Sequence, residues 1–253
     1  MRSLAIVPAR LASTRLPRKV LLRDTGKYLI EHVFERVHLA REIARAVVAT
    51  DSEEVLAACR SFGAEAVLTS DRHPSGTDRC AEAARALEGR GERFDLVVNV
   101  QGDEPELDPA QIDTLVALMA RTGAPMGTLV EPLDDPAEAA RPQVVKAVLG
   151  GGGRAVYFSR ALVPSDLGAA SPPVERPRWH RHVGIYAYRP DFLQLFPTLE
   201  PAPIERRERL EQLRALHHGH AIAAAVVPAS GVRGVDTPED YAAFVARWRA
   251  PRS

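Results

Sequence analysis

The chain has 253 residues, 45% hydrophobic and 26% charged, enough for one large α/β domain or two small ones whose core needs no covalent staples. Lysine plus arginine and aspartate plus glutamate balance at 33 each, which excludes a global footprint for nucleic acid or an anionic membrane surface. No apolar run approaches a membrane span and no leader pattern opens the chain, so an enzyme of the cytoplasm is expected.

The first apolar run, residues 4–7, reads as a buried strand that stops at Pro8. It empties into a loop carrying Arg10, Arg15, Arg18 and Lys19 beside Ser13 and Thr14. In open α/β sheets ligands bind beyond the carboxyl ends of strands, so this loop is a candidate phosphate cradle; a solvated basic turn is the alternative. Further strands are expected at 46–49, 64–68 and 96–100, with helices at 29–41, 52–62 and 77–88 between them. That alternation is the pattern of βαβ units in a largely parallel sheet. Cys59 and Cys80 fall in Ala-rich helical segments with no metal or redox spacing and read as small buried hydrophobes.

A helix over 111–122 comes next, then strands at 126–130 and 144–148 ahead of a four-glycine turn at 150–153. Strands at 155–158 and 183–188 follow, separated by a Pro-rich connection at 164–178. Residues 205–217 read as one helix with Leu210, Leu213 and Leu216 on a stripe and Gly219 as its stop. His217, His218 and His220 suit a helix C-terminus without any metal. A strand at 221–227 precedes the clearest helix, in which Tyr241, Phe244, Val245 and Trp248 recur at helical spacing behind Thr237 as N-cap and Pro238 at the first position.

Several chemistries are missing. Gly26-Lys27-Tyr28 is the nearest approach to a P-loop and lacks its leading glycine and its hydroxyl; no dinucleotide fingerprint, nucleophile elbow or zinc-protease helix occurs. What remains are three turns with two readings each. Asp103, after the strand at 96–100 and beside Gly102, reads as a hard-cation ligand or as a turn-forming Gly-Asp pair. Asp236 reads as a second metal acid or as an acid supporting the last helix. Ser75 and Gly76, at a turn entering a helix, suit a base edge or phosphate, or simply cap the helix.

Taken in order, P-A-R-L-A-S-T-R-L-P-R-K at 8–19, S-G-T-D-R at 75–79, N-V-Q-G-D-E-P at 99–105, H-V-G-I-Y-A-Y-R at 182–189 and G-V-D-T-P-E-D at 234–240 resemble one family. These segments are similar to those of the 3-deoxy-manno-octulosonate (Kdo) cytidylyltransferases, the CMP-Kdo synthetases of lipopolysaccharide biosynthesis. The resemblance implies a single cytidylyltransferase domain with the α/β fold of nucleotide-diphospho-sugar transferases, a largely parallel sheet flanked by helices. Its nucleotide-binding core would span about 1–125 and 221–253, and a smaller sugar-binding and dimerisation part about 126–220. It further implies a magnesium-dependent reaction in which the anomeric hydroxyl of Kdo attacks the α-phosphate of CTP.

Carried onto this chain, the resemblance makes Arg10, Ser13, Arg15 and Lys19 the holders of the triphosphate, with Arg15, Lys19, Asp103 and Asp236 as the catalytic set. Asp103 and Asp236 would bind Mg2+, Ser75 and Gly76 would read cytosine, and Gln101 would stand between nucleotide and sugar. Arg160, His182, Tyr186, Glu211 and Gln212 would receive the keto-acid sugar, whose carboxylate and hydroxyls suit such groups. The implied partners are CTP, Kdo and a second copy of the chain, with no nucleic acid and no membrane. A related acid (8-amino-Kdo, sialic or legionaminic acid) and a non-catalytic nucleotide-binding regulator are the competing readings. Two departures stand out: Arg18 occupies a position that is commonly glycine, adding a cation beside the triphosphate, and Ser165 one that is commonly aromatic.

Overall fold

The computed structural model describes residues 1–13, 15–165, 179–231 and 234–250. Thr14 and most of the Pro-rich connection, residues 166–178, lie outside the described residues. The chain divides into two compact units, Met1–Asp113 together with Gly231–Ser253, and Thr114–Ser230.

In the first unit β1 (Ser3–Ala9), β2 (Ile43–Thr50), β3 (Ala66–Leu68) and β4 (Leu96–Asn99) lie in the order β3-β2-β1-β4, every pair parallel. Leu4, Ala5, Ile6 and Val7 are fully buried, as a central parallel strand covered on both faces requires. The crossovers are α1 (Leu29–His38), α2 (Glu53–Ser61) and α3 (Gly76–Glu88). Ser52 and Ser75 cap the latter two by accepting the N–H groups of Val55 and Asp78. α4 (Pro109–Thr122) begins in this unit and ends in the next.

The second unit is mixed. β5 (Met126–Leu133) is followed by α5 (Pro136–Ala139), then β6 (Lys146–Gly150), β7 (Arg154–Ser159) and β8 (Trp179–Tyr188). After them come α6 (Pro190–Leu195), α7 (Pro203–Glu208), α8 (Leu213–His217) and β9 (Ile222–Val226). β5 pairs β9 in parallel, but β5–β8, β6–β7, β6–β8 and β7–β9 are antiparallel. The strands run β8-β5-β9-β7-β6, and β6 returns to β8 at Lys146 and Arg181, closing the circuit. The expectation of a largely parallel sheet therefore holds in the first unit and not in the second. A three-residue turn over Gly151–Gly153, with Gly152 and Gly153 at φ 71° and 70°, makes β6 and β7 a hairpin, and connections that short permit only antiparallel strands.

The helix expected over 205–217 is broken. α7 ends at Arg209, which adopts φ 54°, and α8 begins four residues later at Leu213. A stripe of leucines three apart suits a turn between two short helices as well as one long helix, and Leu210 and Leu213 are buried either way. Back in the first unit, α9 (Pro238–Arg249) keeps the expected cap: Thr237 Oγ1 accepts from Asp240 N–H, and Tyr241 and Phe244 pack on Leu16, Leu29 and Val235.

Candidate functional site

The basic loop leaves β1 one residue beyond Pro8 and ends in a 3-10 turn over Lys19–Leu21. Arg18 opens that turn in the left-handed region, φ 56° and ψ 26°, which is why glycine is comfortable there. The reversal sends neighbouring side chains apart. Arg18 pairs with Glu54 of α2, so the expectation of an extra cation beside a triphosphate is corrected. Lys19 turns the other way, toward the ends of β4 and α9.

There Lys19 Nζ donates to Asp103 Oδ2 at 2.6 Å, Asp236 Oδ1 at 3.0 Å and the Val235 carbonyl at 3.1 Å. Burial alone would lower the lysine pKa, but the two carboxylates outweigh it and hold the ammonium above its ordinary value. Two close approaches of the backbone bring these acids together from distant parts of the chain. Val235 N–H donates to the Asp103 carbonyl at 2.7 Å, and Gly102 lets the loop lie so close to β1 that an added Cβ would stand 2.7 Å from the Pro8 carbonyl oxygen.

The two readings of Asp236 now separate. The acid that supports the start of α9, behind the Thr237 cap, is Asp240, whose carboxylate accepts from the N–H groups of Asp236 (3.2 Å) and Thr237 (2.9 Å). Burial works against ionisation of Asp240, yet these bonds hold its pKa below the ordinary value. The Asp236 carboxylate is turned instead to Lys19 and to Arg15, 3.0 Å away. Asp103 and Asp236 thus already reach one shared cation. Two carboxylates fit magnesium, which takes one or two such ligands and completes its shell with water and phosphate oxygen. No group of three His, Cys, Asp or Glu side chains able to hold a metal occurs among the described residues.

Arg15, Lys19, Asp103 and Asp236 line a cleft of about 550 Å³ together with Arg10, Ser13, Ser75, Gly76, Gln101 and Gly102. Ser75 is the cap of α3, and its Oγ also reaches the Asp78 carboxylate. Gly76 sits against the Pro8 ring, 3.3 Å from where its Cβ would be. Gln101 Nε2 makes a long bond to Asn99 Oδ1 at 3.4 Å. Two polar lining residues of the turn at 73–79, His73 and Arg79, are given no role in the sequence reading. His73 pairs with Glu82, and buried Arg79 donates to Asp51 at 2.6 Å and Thr69 at 2.5 Å. The arginine ending S-G-T-D-R was the available signal.

The sugar-side candidates all belong to the second unit. Arg160 spends its guanidinium on the carbonyls of Glu208 (2.8 Å), Pro142 (3.0 Å) and Arg209 (3.4 Å). Behind it stands the buried Lys146, unforeseen in the sequence, whose ammonium donates to the carbonyls of Val144 (2.6 Å), Arg160 (2.8 Å) and Arg141 (3.2 Å). Burial lowers its pKa. The His182 ring lies 5.0 Å from Phe158 and 5.4 Å from Tyr186. Glu211 and Gln212 occupy the break between α7 and α8. Gln212 is buried, and its Nε2 has no hydrogen-bond partner among the described residues.

Comparison with known proteins shows the family. A family model described as cytidylyltransferase matches residues 4–222. The chain is 48% identical over 246 residues to the 3-deoxy-manno-octulosonate cytidylyltransferase of Syntrophobacter fumaroxidans, covering 97% of this chain and 96% of that one. It is 45% identical over 239 residues to the enzyme of the same name from Solibacter usitatus, covering 94% and 90%. Among solved structures it is similar to a CMP:2-keto-3-deoxy-manno-octonic acid synthetase complexed with CTP, with a TM-score of 0.89, 38% identity and 98% of each chain covered. A Leptospira borgpetersenii cytidylyltransferase, at TM-score 0.61 and 17% identity over 97% of this chain and 86% of that one, shares the fold.

Proposed function

Since this chain belongs to the 3-deoxy-manno-octulosonate cytidylyltransferases, a family of nucleotidyltransferases, we propose that it transfers the cytidylyl group of CTP to Kdo, giving CMP-Kdo and pyrophosphate for lipopolysaccharide biosynthesis. The observation that carries the proposal is the convergence of Lys19, Asp103 and Asp236 in a cleft that also holds Arg10 and Arg15.

In this reading Arg10, Arg15 and Lys19 hold the triphosphate, with Ser13 in the same loop. The sugar's anomeric hydroxyl gives up its proton to solvent as its oxygen bonds to the α-phosphorus, while the bond from that phosphorus to the oxygen bridging to the β-phosphate breaks and pyrophosphate leaves. The negative charge gathering on the departing pyrophosphate is met by fixed cations that need no rearrangement. Asp103 and Asp236 would hold Mg2+, which supplies charge compensation and orientation of the phosphates when bound. Ser75 and Gly76 would read the base, with Gln101 beside it. Arg160, His182, Tyr186, Glu211 and Gln212 would receive the sugar, and the buried Nε2 of Gln212, without a partner among the described residues, supports that assignment, since such a group is costly when unpaired. A cytoplasmic homodimer is part of the same proposal and rests on the family resemblance.

A pyrophosphate-release assay across the four nucleoside triphosphates, with Kdo, 8-amino-Kdo and sialic acid as acceptors, tests it. Release is expected with CTP and Kdo. Activity confined to UTP or GTP would contradict the base assignment, preference for another acid would move the substrate, and CTP binding without turnover would favour a regulator.

A further inference from the structure

Thr128 sits on β5 of the second unit, facing β8. Thr128 and Leu129 are consecutive on β5, yet they face Tyr186 and Val183 on β8, so Gly184 and Ile185 form a bulge between them. Thr128 is fully buried at that bulge. Its Oγ1 lies 2.8 Å from the Ile185 carbonyl oxygen and 3.2 Å from that of Val183. Carbonyls only accept, so the hydroxyl proton is committed to them. The same Oγ1 is 2.9 Å from His182 Nε2, and the only role left to it there is acceptor. The nitrogen must therefore carry the proton.

We propose that Thr128 is a positioning residue that fixes His182 as the Nε2–H tautomer, so that Nδ1 meets the sugar as an acceptor and selects a hydroxyl donor at that point. The proposal rests on the reading of His182 as a sugar contact. Other features hold the ring in place: His182 N–H donates to the Val145 carbonyl at 2.8 Å, and Phe158 and Tyr186 flank the imidazole. Burial pushes its pKa down to about 3, which keeps the ring neutral instead of a double donor. A site built to accept from a hydroxyl rejects an analogue whose oxygen is absent or capped, because its own acceptor is then left unpaired.

The test begins with long-range 1H–15N correlation on histidine-labelled protein without substrate. The wild type should show a protonated Nε2 and a bare Nδ1 for His182; a protonated Nδ1 would overturn the proposal. Thr128→Val, which keeps the shape and removes the acceptor, should release the tautomer and raise KM for the keto-acid sugar about 5- to 10-fold, as loss of one neutral hydrogen bond implies. kcat and KM for CTP should stay near wild type, and Thr128→Ser should restore the sugar KM. An unchanged sugar KM in Thr128→Val, or no rescue by serine, would also overturn it. Should the valine protein not fold, Thr128→Ser and the wild-type spectrum still decide. If no keto-acid sugar is turned over by the wild type, the substrate reading fails, and the substrate-free spectrum separates that failure from an error in the tautomer.

Discussion

Replacing Lys19 with methionine removes the ammonium while keeping most of the aliphatic stem, and so isolates the charge that Asp103 and Asp236 share. The Lys19 and Asp103 side chains are 14% and 28% exposed, and their bond is 2.6 Å long. A charge-assisted bond so placed contributes about 1.5–3 kcal/mol. Asp236 is 43% exposed, so its bond to the same ammonium is screened and counts for less than about 1 kcal/mol. Lys19→Met should therefore destabilise the free protein by about 2–3 kcal/mol, a fall of about 1 M in the urea midpoint at a slope of about 2–3 kcal/mol/M. Far-UV circular dichroism with and without magnesium, and without nucleotide, makes the prediction specific. With the ammonium gone both acids lose the cation they share, Asp236 keeping only the exposed Arg15, and the ion should raise the variant's midpoint more than the wild type's through preferential binding to the folded state. A variant as stable as wild type, or equal rescue of both proteins by magnesium, would refute the reasoning.

Arg18→Gly should leave KM for CTP unchanged, because the guanidinium lies on Glu54; a several-fold rise would return it to the triphosphate. Relief of the left-handed strain is offset by the freer unfolded chain, so stability should move by less than about 1 kcal/mol. Gly102→Ala must push its loop away from the Pro8 carbonyl, and a loss of about 1–3 kcal/mol with a large fall in turnover is expected; a silent substitution would show that the close approach is dispensable. His182 titrates near 6.5 in the unfolded chain and near 3 when folded, so the unfolded state binds the extra proton between those values. Its contribution to stability is complete above pH 6.5 and is lost as pH falls toward 3, and a urea-midpoint profile of His182→Gln should be flatter than wild type across that window.

The first unit was legible in the sequence because its central strands are buried on both faces and appear as unbroken apolar runs. Residues 4–7 and 96–100 announce themselves that way, and the capping serines and Thr237 mark helix starts by their own chemistry. The second unit hides more. Apart from β5, its strands are buried only in part, and their pairing depends on the glycine hairpin and on a bulge that no local signal marks. The left-handed break at Arg209 carries an arginine where a glycine would have betrayed it. Lys146 looked like any charged residue at the start of a strand, yet it is buried among three carbonyls that lie outside its own strand. Thr128 passed as an ordinary β-former.

For the candidate site, the deciding observation is which side chain holds the structural job that a sequence reading would otherwise assign. Asp236 could have been the acid that supports α9. Asp240 fills that role, so the Asp236 carboxylate is free to meet Lys19 and Arg15, and the functional reading gains by elimination. Arg160 runs the other way. Three backbone carbonyls already occupy donors of its guanidinium, while Lys146 holds its own carbonyl, so any sugar carboxylate would meet an arginine that is pre-oriented by the fold. Ser75 combines both cases, since its hydroxyl caps α3 from the wall of the cleft and the job that positions the loop is itself structural. A residue with an identified structural partner is thus excluded from function only when that partner consumes the atoms that function would need. At Arg160 it does not.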